Sequence, residues 1–215
     1  MPKAIAIVAH HDDHILWMGG TIQRLAVSGW QWTVVAMCMP DPARRAYFQH
    51  CCSVLGVVPV MMDFQDYMSG DPFSGNNRDQ MRSRLVDAVR SQTFDLVFTH
   101  SRSAHGEYWA RHANHVEARE LAWELVNNRA LGAGLPSLAY FAYDVIYGTG
   151  TATCARTDAT YFLPLTYPEL LCKCQLCRLV PDAESNLRNL AYPCPNPEGF
   201  EGDGLLLPAP LVRRE

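Results

Sequence analysis

Two short polar clusters hold the residue types from which a hydrolytic centre is built. The first is Ala9-His10-His11-Asp12-Asp13, and the second runs from His105 to His115, HGEYWARHANH. His10 and Asp13, spaced H-x-x-D across a turn, can aim an imidazole and a carboxylate at one point, and His115 can supply a third ligand. Two nitrogens and one oxygen suit Zn²⁺. Three protein ligands leave a position open for water, as in a catalytic rather than a structural zinc site, so one catalytic Zn²⁺ per chain is expected. Asp12 is then a spare carboxylate beside the metal, suited as general base to take a proton from water. His112 precedes His115 by one helical turn and shares its face; as an imidazolium it can stabilise negative charge on a substrate oxygen. Simpler readings exist for each residue alone. Asp12 or Asp13 could cap the following helix, and His112 and His115 could be solvated. Capping alone explains poorly why both clusters follow a buried strand.

The elements that must position these residues are legible from hydrophobic periodicity. Ala4 to Ala9 (AIAIVA) reads as a strand buried on both faces, and His14 to Ser28 as a helix stopped by Gly29. Trp32 to Cys38 is a second strand, Pro42 to Leu55 a helix ended by Gly56, and Val57 to Met62 a third strand that Pro59 assigns to an edge. Asp66 to Asn77 reads as a long loop. A helix over Asp79 to Ser91, a strand over Phe94 to Thr99, a helix over Arg111 to Asn128 and a strand over Leu138 to Tyr143 complete the pattern. Tyr167 to Leu179 is a further helix, and the proline-rich stretch Pro193 to Pro210 is expected to wrap the surface. The alternation predicts an α/β fold: a Rossmann-like, open, mostly parallel sheet flanked by helices. Residues 1–215 are expected to form a single domain, with 150–215 a less regular C-terminal extension. In such a sheet ligands bind beyond the carboxyl ends of the strands where the winding reverses, and both polar clusters then face one crevice.

Composition narrows the function classes. The 215 residues are 48% hydrophobic and 19% charged, which fits a globular chain. With 18 Lys+Arg against 22 Asp+Glu, the net charge of −4 gives no electrostatic reason to expect nucleic acid or an anionic membrane as partner. No apolar stretch is long enough for a membrane span, and the apolar start meets His10 too soon for a secretory signal, so a cytoplasmic protein is expected. The eight cysteines then read as reduced thiols.

The two clusters resemble motifs of the LmbE-like or PIG-L deacetylases, zinc hydrolases acting on N-acetylated glucosamine conjugates. The family form A-H-P-D-D-E reads here Ala9-His10-His11-Asp12-Asp13-His14, followed by Gly19-Gly20-Thr21, and the form H-P-D-H reads His112-Ala113-Asn114-His115. Lesser echoes are Arg44 to Gly56 and the strand-turn FDLVFTH. The resemblance implies that His10, Asp13 and His115 bind zinc, that Asp12 is the general base and that His112 stabilises the oxyanion. It implies hydrolysis of an N-acetyl or other N-acyl group from an amino sugar or its conjugate. The departures spare the ligands and the base. His11 replaces Pro, His14 replaces Glu, Tyr47 stands where a Glu aligns, and Asn114 replaces an Asp, so residue 114 offers no carboxylate to orient a neighbouring imidazole.

Other signals are weaker. Tyr108 or Trp109 could close over a substrate or stack on a sugar ring, and Arg44, with Arg45, Arg78, Arg82 and Arg102, could meet an anionic substrate or simply form a solvated face. Cys172, Cys174 and Cys177 carry one C-x-x-C and could join Cys154 or Cys194 in a second metal site, but packing as small hydrophobes is the simpler reading. Two rival functions remain: an amidase cleaving a larger acyl or thiol conjugate of glucosamine, and a non-catalytic Rossmann-like module binding a metal or ligand. No G-x-G-x-x-G follows the first strand, which removes support for dinucleotide binding. A homo-oligomer stays open.

Overall fold

The computed structural model of the chain describes residues 1–38, 41–66, 76–102, 113–131, 136–141, 143–145, 152–155, 160–181, 198–201 and 212–213. In chain order its elements are β1 (Lys3–Val8), α1 (Asp13–Val27), β2 (Gln31–Ala36), α2 (Pro42–Leu55), β3 (Val58–Met61), α3 (Arg78–Val89), β4 (Leu96–Thr99) and α4 (Ala113–Asn127). There follow β5 (Ser137–Phe141), β6 (Tyr143–Val145), β7 (Ala152–Ala155), β8 (Tyr161–Leu163), α5 (Tyr167–Leu179), β9 (Glu198–Glu201) and β10 (Val212–Arg213).

Five strands, in the order β3-β2-β1-β4-β5, form the expected parallel sheet. The chain winds from β1 through β2 to β3, then returns to β4 and β5 on the other side, so the reversal lies between β1 and β4. β3 is an edge, as its Pro59 requires. The two-residue period of the strands divides the interior into two layers. Ala4, Ala6, Val8, Trp32, Val34, Leu96 and Phe98 face one layer with α1, α2 and α5, whereas Ile5, Ile7, Val35 and Val97 face α3 and α4. Local chemistry sets the helix limits. Asp41 accepts the Ala43 N–H at 2.6 Å to start α2, and Gly56, at φ 69°, ends it in the left-handed conformation that glycine tolerates.

The carboxyl-terminal part corrects the expectation that Pro193 to Pro210 wraps the surface. β9 lies inside the sheet, antiparallel to both β5 and β8, and β10 extends it beyond β8. Phe200 of β9 is fully buried and meets the Phe98 ring edge-on with centroids 5.2 Å apart. The strand escapes a hydropathy reading because it is four residues long and pairs only with distant segments. Its first residue, Glu198, is also buried.

Glu198 has a defined task. α1 is broken at Met18, whose φ of −145° is not helical, and the main-chain N–H groups beyond the break lose their helical acceptors. The Glu198 carboxylate accepts from the N–H of Gly20 at 3.0 Å and of Thr21 at 2.7 Å, from the Thr21 hydroxyl at 2.6 Å and from Lys173 Nζ at 2.6 Å. Both charges of this ion pair are fully buried. Gly20 sits at a close approach, since a Cβ there would lie 2.2 Å from Leu165 Cδ2 and would displace that side chain. On the next turns Arg24 donates through two nitrogens to the Glu169 carboxylate, tying α1 to α5. Among the described residues no helix is long and apolar enough to cross a membrane.

Removing one partner of a buried ion pair leaves a charge without its counter-charge. Lys173→Met is therefore expected to destabilise the protein by about 3–5 kcal/mol, and adding Glu198→Gln to recover part of that loss. Urea unfolding of the single and double variants checks this.

Candidate metal centre

The site sits where β1 and β4 diverge beyond their last ladder pair, Ala6 with Phe98. Side chains take over from the ladder there. The Thr99 hydroxyl donates to the Ile7 carbonyl at 2.9 Å, and the Ala9 N–H donates to His100 Nε2 at 2.9 Å. β1 then runs through His10, His11 and Asp12 into α1, which Asp13 begins. Across the gap, α4 presents Asn114 and His115 in its first turn.

Asp13 holds the cluster together. Its Oδ2 accepts the His10 N–H at 2.7 Å and lies 3.6 Å from His10 Nδ1 and 3.3 Å from His100 Nε2. Its Oδ1 lies 3.5 Å from His115 Nε2, which is 3.1 Å from His10 Nδ1. His100 stacks on His115 with centroids 4.0 Å apart and planes 11° from parallel, and Phe141 meets His100 edge-on, so the His115 ring is held from behind.

These distances test whether a metal fits. Four ligands at the usual Zn–N and Zn–O lengths in a tetrahedron stand about 3.3–3.5 Å apart. His10 Nδ1 stands 3.1 Å from His115 Nε2, while Asp13 Oδ1 lies 3.5 Å from His115 Nε2 and Asp13 Oδ2 lies 3.6 Å from His10 Nδ1, so the carboxylate meets the two imidazoles through different oxygens at separations close to that range. Among the described residues these three are the single group of His, Cys, Asp and Glu side chains close enough to hold a metal ion. The donor set, two imidazole nitrogens and a carboxylate oxygen, is one that Zn²⁺ accepts.

The electrostatics match a site built for a cation. Burial disfavours charge on Asp13, yet His115, His100 and His10 outweigh it and hold the carboxyl well below the usual carboxylate range. Burial likewise opposes charge on His10, but Asp13 and Asp66 together raise it to about 10. Asp12 is buried, and its main-chain oxygen accepts the Ile15 and Leu16 N–H groups while its side chain makes no capping bond to α1. The helix-capping explanation for its carboxylate therefore does not describe this structure.

Asp66, just beyond β3, and His100 are site residues that the sequence reading did not single out. Asp66 Oδ1 is 3.2 Å from His10 Nε2 and accepts from Asn114 Nδ2 at 2.7 Å, while Arg44 stands 3.9 Å from Asp66 Oδ2 at the rim. The usable signal for His100 was its position directly after a buried strand. Asp66 was hidden in a stretch that reads as loop. His105, Tyr108, Trp109 and His112 lie outside the described residues, as do residues 67–75 of the predicted loop.

Other arginines have partners of their own. Arg78 bridges α3 to Glu117 and Glu124 of α4, Arg82 pairs with Asp79, and Arg102 lies over the Tyr140 ring. Cys172 and Cys174 pack against the core and Cys177 is fully buried within it, with no metal-holding group formed among the described residues. Burial raises the Cys38 and Cys51 thiols to about 12, which leaves them poor nucleophiles.

The comparisons with known proteins agree with this architecture. The family described as PIG-L, GlcNAc-PI de-N-acetylase, matches residues 5–126. No curated protein matches the sequence. Among solved structures, the 4-carboxy-2-hydroxymuconate hydratase GalB from Pseudomonas putida KT2440 is 19% identical with a TM-score of 0.67, covering 99% of this chain and 100% of its own. The N,N'-diacetylchitobiose deacetylase from Pyrococcus horikoshii is 22% identical with a TM-score of 0.59, covering 93% and 82%. A deacetylase of teicoplanin biosynthesis is 13% identical with a TM-score of 0.62, covering 99% of both chains. At these identities the likeness is one of fold.

His14 yields a test of the buried surroundings of the site. It is fully buried against the Phe48 ring, neither ring nitrogen has a hydrogen-bond partner among the described residues, and burial lowers its pKa to about 3. The unfolded chain protonates this imidazole near its ordinary value of about 6.5. Between those two values the unfolded state binds more protons, so stability falls as pH falls, by up to about 1.4 kcal/mol per pH unit from this group. In urea unfolding of metal-free protein from pH 6.5 down to 4, His14→Met is expected to flatten that decline; an undiminished slope would contradict the buried neutral imidazole.

Proposed function

Since the chain belongs to the PIG-L family, we propose that it is a zinc-dependent hydrolase removing an N-acetyl or other N-acyl group from an amino sugar or amino-sugar conjugate. The observation that carries the reading is the convergence of His10 Nδ1, His115 Nε2 and the Asp13 carboxylate at the reversal of the sheet. In this reading those three residues hold one Zn²⁺. Asp12 is the general base and His112 the oxyanion stabiliser. A non-catalytic module would be expected to have lost a ligand or the base, and the sequence keeps His10, Asp13, His115 and Asp12.

A bound Zn²⁺ would acidify a water molecule and polarise the acyl carbonyl. Asp12 would take the proton given up as the water oxygen attacks the acyl carbon. His112, as an imidazolium, would face the carbonyl oxygen on which negative charge builds. Protonated Asp12 would then return its proton to the amine nitrogen as the C–N bond breaks, releasing a free amine and a carboxylic acid. Arg44, half-exposed at the rim, is suited to a sugar hydroxyl or an anionic substituent, and Tyr108 or Trp109 to stacking on the ring. Acyl size stays open, so an amidase acting on a larger acyl or thiol conjugate of glucosamine is a variant of the same chemistry. Cys38, Cys51, Cys52, Cys172, Cys174 and Cys177 are free thiols, which fits a reducing cytoplasm.

A second reading has one observation in its favour. The fold also serves the hydratase GalB, in which water adds to a muconate instead of cleaving an amide. The two readings share water activation and differ in the atom attacked. A panel of N-acylated amino sugars and conjugates, scored for free amine, run beside unsaturated carboxylates scored for loss of the double bond, separates them. Release of amine with loss of at least about a hundredfold in turnover on Asp12→Asn, the protein keeping its zinc, is the expected result. Activity confined to unsaturated carboxylates would transfer the assignment to the hydratase reading. Metal analysis should give about one zinc per chain in the wild type by the catalytic-site argument, falling in His10→Ala and in His115→Ala; full zinc in both variants would sink the ligand assignment.

A further inference from the structure

The contacts on the far side of His10 carry an inference that deepens the proposed metal site and rests on it. With Nδ1 turned toward Asp13 and His115, the other ring nitrogen, Nε2, faces Asp66 Oδ1 at 3.2 Å. A neutral imidazole that binds a metal through one nitrogen carries its proton on the other, and the acceptor of that N–H fixes both tautomer and ring orientation. Asp66 is the carboxylate in that position. It is in turn held by Asn114, whose Nδ2 donates to the same Oδ1 at 2.7 Å and itself lies 3.5 Å from His10 Nε2. Asn114 is fully buried, next in sequence to His115.

The three side chains meet at Asp66 Oδ1 and His10 Nε2. A carboxylate at 114 would stand 2.7 Å from the Asp66 oxygen, where two anions repel unless a proton is shared between them. An amide at both positions would leave the His10 N–H with a weaker, uncharged acceptor. One acid and one amide satisfy the contacts among these three side chains.

We propose that Asp66 is the positioning residue for His10, and that residues 66 and 114 work as a matched acid–amide pair in which either place can hold the acid. The side chain at 66 therefore reaches the metal's affinity through His10 without being a ligand. Because the 114 side chain also lies near His10 Nε2, moving the carboxylate there supplies the same acceptor from the opposite element.

Zinc affinity, measured by competition with a chelator on folded, metal-stripped protein, reads this without reference to turnover. Asp66→Asn is expected to weaken zinc binding by about 10–100-fold. The exchange Asp66→Asn with Asn114→Asp is expected to restore most of that loss. In zinc-loaded protein, ¹⁵N spectra of the His10 ring should report a strongly hydrogen-bonded Nε2–H in wild type and in the exchange variant, and a weakened one in Asp66→Asn. Wild-type affinity in Asp66→Asn would overturn the proposal, as would a double variant no tighter than the single one. Failure of the underlying metal reading looks different: the wild type itself would bind no zinc and His10→Ala would change nothing, and the pairing would fall with it.

Discussion

One carboxylate, that of Asp13, ties the site to the fold. It accepts the main-chain N–H of His10 and stands within 3.6 Å of ring nitrogens from His10, His100 and His115. Those residues come from the end of β1, the end of β4 and the start of α4, so their meeting depends on the register of the central strands. Asp13 is also the first residue of α1, where the unsatisfied N–H groups of a helix favour an anion. A register shift of one residue between β1 and β4 would turn His100 to the opposite face and break the contact with the Ala9 N–H.

The helix that carries Asp13 is secured from a second direction. A break at Met18 frees N–H groups in the middle of α1, and in a buried setting each would cost free energy if left unpaired. Glu198, 178 residues after Gly20, closes them, and Lys173 balances its charge. The carboxyl-terminal part thus supplies no candidate metal ligand among the described residues and still constrains the site helix. Gly20 belongs to the same arrangement, because only a residue without Cβ lets Leu165 lie against the helix at that point.

Elements held by local signals were legible in the sequence. The limits of α2 follow from Asp41, Pro42 and Gly56, and the start of α5 from a helical pattern with Pro168 in its first turn. The central strands were legible because burial on both faces writes an uninterrupted apolar run. His10, Asp13 and His115 were legible as a group because histidine and aspartate after a buried strand have few structural explanations. Long-range polar pairing was not legible. Nothing local to Glu198 tells that its charge will be buried against Lys173, and nothing local to Asp66 tells that it will meet His10 and Asn114. The replacement at residue 114 removes a carboxylate there, and Asn114 instead donates to Asp66, a carboxylate from another element that faces His10.

The two sides of the crevice stand on different mechanical footing. Asp13, His100 and His115 are almost inaccessible to solvent and are locked by stacking and main-chain bonds, as groups must be whose relative distances decide whether a metal is held. Arg44 and Asp66 come from α2 and the segment after the edge strand β3, with side chains 34% and 41% exposed. Rigid geometry requires burial and recognition requires access, so the β1–β4 side is suited to the chemical step and the β3 side to meeting what enters. Asp66 belongs to both, since one of its oxygens faces His10 and the other faces Arg44. Under the proposed pairing, a group that engaged Arg44 would meet the same carboxylate that faces His10, and the rim and the centre would then share one anion.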